Sequence, residues 1–156
     1  MDNKVKQYGL LLKQLEELIK DETDWLANSA NATALLFQSM KDINWAGFYF
    51  YRGGQLVLGP FQGKPACIRI DMGKGVCGTA AQERRSIIVE DVHKFPGHIA
   101  CDSASNSEIV VPIIKEDRLV GVLDIDSPIF NRFDLVDGRY LEEFVKILNR
   151  YCHWDF

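Results

Sequence analysis

Residues 108–126 read EIVVPIIKEDRLVGVLDID, two runs of Val, Ile and Leu parted by the charged pair Glu116-Asp117. β-Branched, apolar residues on both sides of a polar turn predict a hairpin, with strands over 108–114 and 119–125. Upstream, 86–89 is a further short strand, and Val76 to Arg84 has the pattern of a short helix entered through Gly75. Residues 59–78 are rich in Gly and Pro, with a brief β-like piece at 67–70. Before them an aromatic strand, 45–51, turns through Gly53-Gly54 into a second strand, 55–58.

The two ends of the chain are helical. Val5, Tyr8, Leu11, Leu12, Leu15, Leu18 and Ile19 recur at helical spacing. A second helix, capped by Asp21 or Thr23, would turn Leu26, Ala30, Leu36, Phe37 and Met40 inward. Near the C-terminus Asp134, with Asp137 three residues on, opens a helix that buries Leu141, Phe144, Val145, Leu148 and Tyr151. Residues 93–106 carry no periodicity and form a long loop, which in a compact domain is usually functional. With no alternating βαβ units, this order predicts an α+β domain, an antiparallel sheet flanked by N- and C-terminal helices. A chain of 156 residues is long enough for one core, so a single domain over 1–156 is expected.

A net charge of −4 and the lack of any Lys/Arg run argue against nucleic acid as the main partner. Lysines among the apolar N-terminal positions argue against a secretory or membrane-spanning segment, so a cytoplasmic protein is expected. There a disulfide is more often transient than structural. That bears on the cysteines: Cys67 closes GPFQGKPAC, Cys77 lies in GKGVCGTA and Cys101 in HIACDSASNSE, all turn-rich rather than apolar contexts. Reactive thiols need such polar, exposed surroundings. Separations of 10 and 24 residues, without CxxC or HxxxH, do not fit a zinc module. No metal and no resident cofactor is expected.

Asp124 and Asp126 share one face of their strand. Whether Glu108 joins them depends on the turn. A two-residue turn at Glu116-Asp117 would pair Lys115 with Arg118 and set Glu108 opposite Ile125, on the wrong face. A three-residue turn at 116–118, or a bulge near Pro112, brings it opposite Asp126 and sends Leu119, Leu123 and Ile125 to the core. Carboxyls gathered in such apolar sequence would hold a proton near neutral pH. A neutral one can deliver that proton and an ionised one can bind an ammonium group.

WAGFYF, GPFQGKPAC, GKGVCGTAA, ACDSASNSEIVVPI and LVGVLDIDSP, in this order, resemble the free methionine-(R)-sulfoxide reductases, single-domain enzymes of the GAF fold. DWLANSANATALL and FDLVDGRYLE extend the resemblance over nearly the whole chain. It implies that Cys101 attacks the sulfoxide sulfur and that Cys67 resolves the product as a disulfide. Cys77 matches a third cysteine, either backing up the relay or shaping the site. Glu108, Asp124 and Asp126 match residues contacting the sulfoxide and amino groups, with Glu108 a candidate acid, and Trp45 and Tyr49 match the aromatic lining. Thioredoxin as reductant and a homodimer are implied as well. Cys152 has no counterpart in these motifs. The rival reading is a non-catalytic GAF domain that senses a small molecule, which would have no use for paired cysteines.

Overall fold

The computed structural model describes residues 3–98 and 103–156. Helices α1 (Asn3–Ile19) and α2 (Trp25–Ser39) precede strands β1 (Trp45–Arg52), β2 (Gln55–Gly63) and β3 (Arg69–Asp71). Helix α3 (Gly75–Glu83), strands β4 (Ile87–Val89), β5 (Ser107–Lys115) and β6 (Arg118–Ser127), and helix α4 (Leu135–Tyr151) follow. The strands form one six-stranded sheet in the order β3-β2-β1-β6-β5-β4. Every neighbouring pair is antiparallel. The α+β expectation holds. Among the described residues no helix is long and apolar enough to cross a membrane.

The sheet has two unlike faces. On one, α1, α2 and α4 pack over Phe48, Phe50, Ile109, Val111, Leu123 and Ile125, the larger of two cores. On the other, α3 lays Val76, Cys77, Ala80 and Ala81 over Trp45, Tyr49, Val110 and Val122. A short helix covers only part of a six-stranded sheet, and the uncovered part is where a cleft forms.

Two expectations for α2 need correction. The cap of α2 is Asp24, neither Asp21 nor Thr23, and its carboxylate accepts the Ala27 N–H at 2.9 Å. The buried side of α2 carries Asn28, Ser29, Ala32, Thr33, Leu35 and Leu36, while Leu26, Ala30 and Phe37 face outward. Small side chains let this helix sit close to the sheet, and its buried polar groups are satisfied. Asn28 donates to the Glu22 carbonyl at 2.9 Å, and Thr33 to the Ala30 carbonyl at 2.8 Å. The capping box of α4 forms as expected, and Asp137 does more than cap. Wholly buried, it also receives Tyr8 Oη at 2.6 Å and Lys4 Nζ at 2.7 Å, tying α4 to α1.

The decisive hairpin turns in two residues, Glu116 and Asp117, both in the left-handed region with φ of 52° and 66°. The three-residue turn is therefore not used. A bulge instead shifts the register between Ile113 and Ile114: Lys115 faces Arg118, Ile114 faces Leu119, and Ile113 faces Gly121. Val120 is the extra residue, and it turns into the larger core while Leu119 joins the α3 face, contrary to the expected placement of Leu119. Leu123 and Ile125 do face the larger core. Beyond the bulge Glu108 stands directly opposite Asp126.

Candidate active site

The cross-strand register assembles the site in rows. Trp45 on β1, Asp126 on β6 and Glu108 on β5 form one row, and Gly47, Asp124 and Val110 form the next. Tyr49 stands beside Val122 in the row after that. Residues two apart on a strand share a face, so the three carboxyls and the two aromatic rings all point toward α3. Glycine at position 47 is required by the Trp45 indole. A Cβ there would lie 2.7 Å from Trp45 Cη2 and 2.3 Å from Phe61 Cβ. Without one, Trp45 stacks between Tyr49 and Phe61, with ring centroids 6.0 and 5.2 Å away.

The polar tips of this aromatic wall hold the loop between β2 and β3. Trp45 Nε1 donates to the Lys64 carbonyl at 3.0 Å, and Tyr49 Oη donates to the Cys67 carbonyl at 2.9 Å. Cys67, half-buried in that loop, is disulfide-bonded, whereas Cys77 and Cys152 are free thiols. The cleft enclosed by the wall, the carboxyls and α3 has an empty volume of about 560 Å³, part of it open to solvent. It also receives Lys74, Gly75 and Val76 from the start of α3, and His98 and Ser105. Cys101 lies outside the described residues, and His98 and Ser105 stand on either side of its segment.

Electrostatics make this a proton-holding site. Glu108 and Asp124 are about 6% and 5% exposed, so water does not stabilise their charged forms. Burial, reinforced by the neighbouring Asp124 and Asp126 carboxylates, holds Glu108 well above the usual carboxylate range. Burial raises Asp124 too, while hydrogen bonds with Glu108, Cys77 and Asp126 pull the other way. The Cys77 thiol is pushed well up by burial and by the Asp124, Glu108 and Asp126 carboxylates. It is therefore a protonated hydrogen-bond donor to Asp124 and not an exposed thiolate, despite its glycine-rich surroundings. Burial and the nearby His93 lower His98, leaving its imidazole neutral at pH 7.

Residues 30–148 match the GAF domain family. The free methionine-R-sulfoxide reductase of Escherichia coli is 51% identical over 148 residues, which cover 95% of this chain and 90% of that protein. The structure of fRMsr of Staphylococcus aureus in its reduced form superposes with a TM-score of 0.90 at 56% identity, over 92% of this chain and 94% of that one. The free methionine-R-sulfoxide reductase from Neisseria meningitidis, solved in complex with its substrate, gives a TM-score of 0.92 at 46% identity, over 97% and 91% of the two chains. The chain belongs to the free methionine-R-sulfoxide reductases of the GAF fold.

Of the eight residues singled out from the sequence of this reductase-family chain, six line the one cleft: Trp45, Tyr49, Cys77, Glu108, Asp124 and Asp126. Cys67 is tied to its wall through Tyr49. Sequence reasoning missed Gly47, Lys74 and Ser105. Gly47, in the middle of WAGFYF, was the readable signal, because a glycine inside an aromatic strand marks a close approach. Cys152 lies on the opposite side of the sheet, wholly buried, with Asn28 Nδ2 3.6 Å from its sulfur.

Proposed function

We propose that this chain reduces free L-methionine-(R)-sulfoxide to L-methionine in the cleft between β1, β6, β5 and α3. The observation that carries this reading is the buried carboxyl cluster, at least partly protonated, facing an aromatic wall. Sulfoxide reduction needs an acid for the oxygen as a thiolate meets the sulfur. The Cys101 thiolate attacks sulfur, Glu108 gives its proton to the oxygen, and the oxygen passes to Cys101 as the S–CH₃ compound leaves. The products are methionine and a Cys101 sulfenic acid. Cys67 condenses with that sulfenic acid, releasing water and forming a Cys67–Cys101 disulfide before further oxidation can occur. A dithiol protein of the thioredoxin kind restores both thiols by exchange. Cys77 shapes the site by donating to Asp124.

Specificity for the free amino acid follows from charge. Asp124 and Asp126 read the α-ammonium, which a peptide-bonded residue lacks. The first amides of α3, together with Lys74 at the cleft edge, suit the α-carboxylate. Trp45 and Tyr49 pack on the methyl side, so the two sulfoxide epimers present different atoms to the acid. The test is incubation with each free epimer and a thiol reductant, followed by chromatography of the products. Methionine should form from the R epimer alone. Equal turnover of both epimers, or of N-acetylmethionine sulfoxide, would refute the reading.

A further inference from the structure

We infer that Cys77, Glu108 and Asp124 form a binding site for a soft divalent cation of the zinc and cadmium class. The sulfur of Cys77 and one oxygen from each carboxyl all lie within 4.8 Å of one another, and all three residues are buried. They come from α3, β5 and β6, so no spacing motif announces them. A second observation points to a missing ligand there. Asp124 Oδ1 is buried at the cleft with no hydrogen-bond partner among the described residues, and a buried oxygen in that state is ordinarily matched by a donor or a cation.

The donor set selects the metal. One thiolate and two carboxylates suit zinc better than magnesium or calcium, which take oxygen ligands alone. In a tetrahedral zinc site, with Zn–S of about 2.3 Å and Zn–O of about 2.1 Å, neighbouring donors stand roughly 3.4–3.6 Å apart. The three donors, all within 4.8 Å of one another, must draw together to reach that spacing as the ion enters. All three residues line the cleft, which leaves room for water at a fourth position. Binding displaces the Cys77 proton and any proton held by the carboxyls, so protons are released as the metal enters. A cation here would fill the place assigned to the substrate's ammonium group and block the cleft. That consequence rests on the proposed function, whereas the binding itself does not.

Cadmium serves as the probe, because its bond to a thiolate gives an ultraviolet charge-transfer band. The full-length Cys67→Ser/Cys101→Ser double variant removes the two relay thiols and leaves Cys77 with Cys152. Titration with Cd²⁺ should give the band at one equivalent, with proton release registered by an indicator dye. Adding Cys77→Ser or Cys77→Ala should abolish the band, and Asp124→Asn or Glu108→Gln should weaken binding by roughly tenfold or more. Absence of the band in the double variant, or its persistence after Cys77 is replaced, would overturn the site. So would unchanged affinity in both carboxamide variants.

Discussion

Replacing Glu108 with Gln should make the protein more stable at neutral pH while removing its proposed acid. An unfolded glutamate ionises near 4.5, whereas burial and the Asp124 and Asp126 carboxylates keep the folded Glu108 protonated well above that value. Above pH 4.5 the unfolded chain therefore binds fewer protons than the folded one, and stability falls as pH rises. The contribution of Glu108 is fully present below that pH and is lost progressively until the folded carboxyl ionises. One group of this kind gives a slope of up to about 1.4 kcal/mol per pH unit. Glutamine keeps the shape and has no proton to lose, so that slope disappears from the variant. A carboxamide also changes hydrogen-bond geometry, at a cost of about 1 kcal/mol. That offset is nearly independent of pH, which makes the slope and not the level the diagnostic quantity. Asp124, raised by its own burial, leaves a residual slope in both proteins. Urea unfolding in steps of pH from the acidic range to slightly above neutral reads the difference directly. Parallel stability profiles for wild type and Glu108→Gln would mean that Glu108 ionises like a surface carboxylate, and the proton-holding cluster would be refuted.

Gly47→Ala places a methyl group 2.7 Å from Trp45 Cη2 and 2.3 Å from Phe61 Cβ. It should cost about 1–3 kcal/mol of stability, shift the tryptophan fluorescence and raise KM for methionine sulfoxide. Asp137→Asn leaves Lys4, Arg132 and Tyr8 without their buried partner. Thermal unfolding should show a loss of about 3 kcal/mol, with kcat unchanged below the melting range. Cys67→Ser should release about one methionine per chain in a single turnover and then stall with thioredoxin, because the sulfenic acid has no partner thiol. Burial lifts the Cys152 thiol to about 11, and the residue lies across the sheet from the cleft. Cys152→Ala should therefore lower stability with no effect on turnover.

The hairpin at 108–126 was legible from composition, but its register was not. Leu119 and Val120 are both apolar, so binary patterning cannot say which faces the helical core. A two-residue turn in a regular ladder would have scattered the carboxyls over both faces. What gathers them is one extra residue at Val120 beside Gly121, where a Cβ would lie 2.2 Å from the Tyr49 carbonyl oxygen. That glycine was the available mark of the bulge, and its meaning depends on β1, a strand about seventy residues earlier. The buried side of α2 was hidden for a related reason: a helix packed closely on a sheet selects small side chains, and hydrophobicity then points to the wrong stripe.

Cys77 shows most clearly how local sequence and tertiary setting diverge. Glycines on both sides of it read as an exposed, turn-rich context suited to a reactive thiol. Gly75, with φ of 63°, instead starts a helix, and Gly78 packs so tightly that a Cβ would lie 2.4 Å from the Asp71 carbonyl oxygen. The glycines bring α3 down onto the sheet and thereby bury Cys77 against the carboxyls. Burial raises the thiol, the thiol donates to Asp124, and the same burial keeps Glu108 protonated. One packing event thus keeps the Cys77 thiol protonated and holds a proton on Glu108. In the proposed reaction the nucleophile comes from another segment, and His98 and Ser105, both lining the cleft, flank in sequence the stretch that carries Cys101.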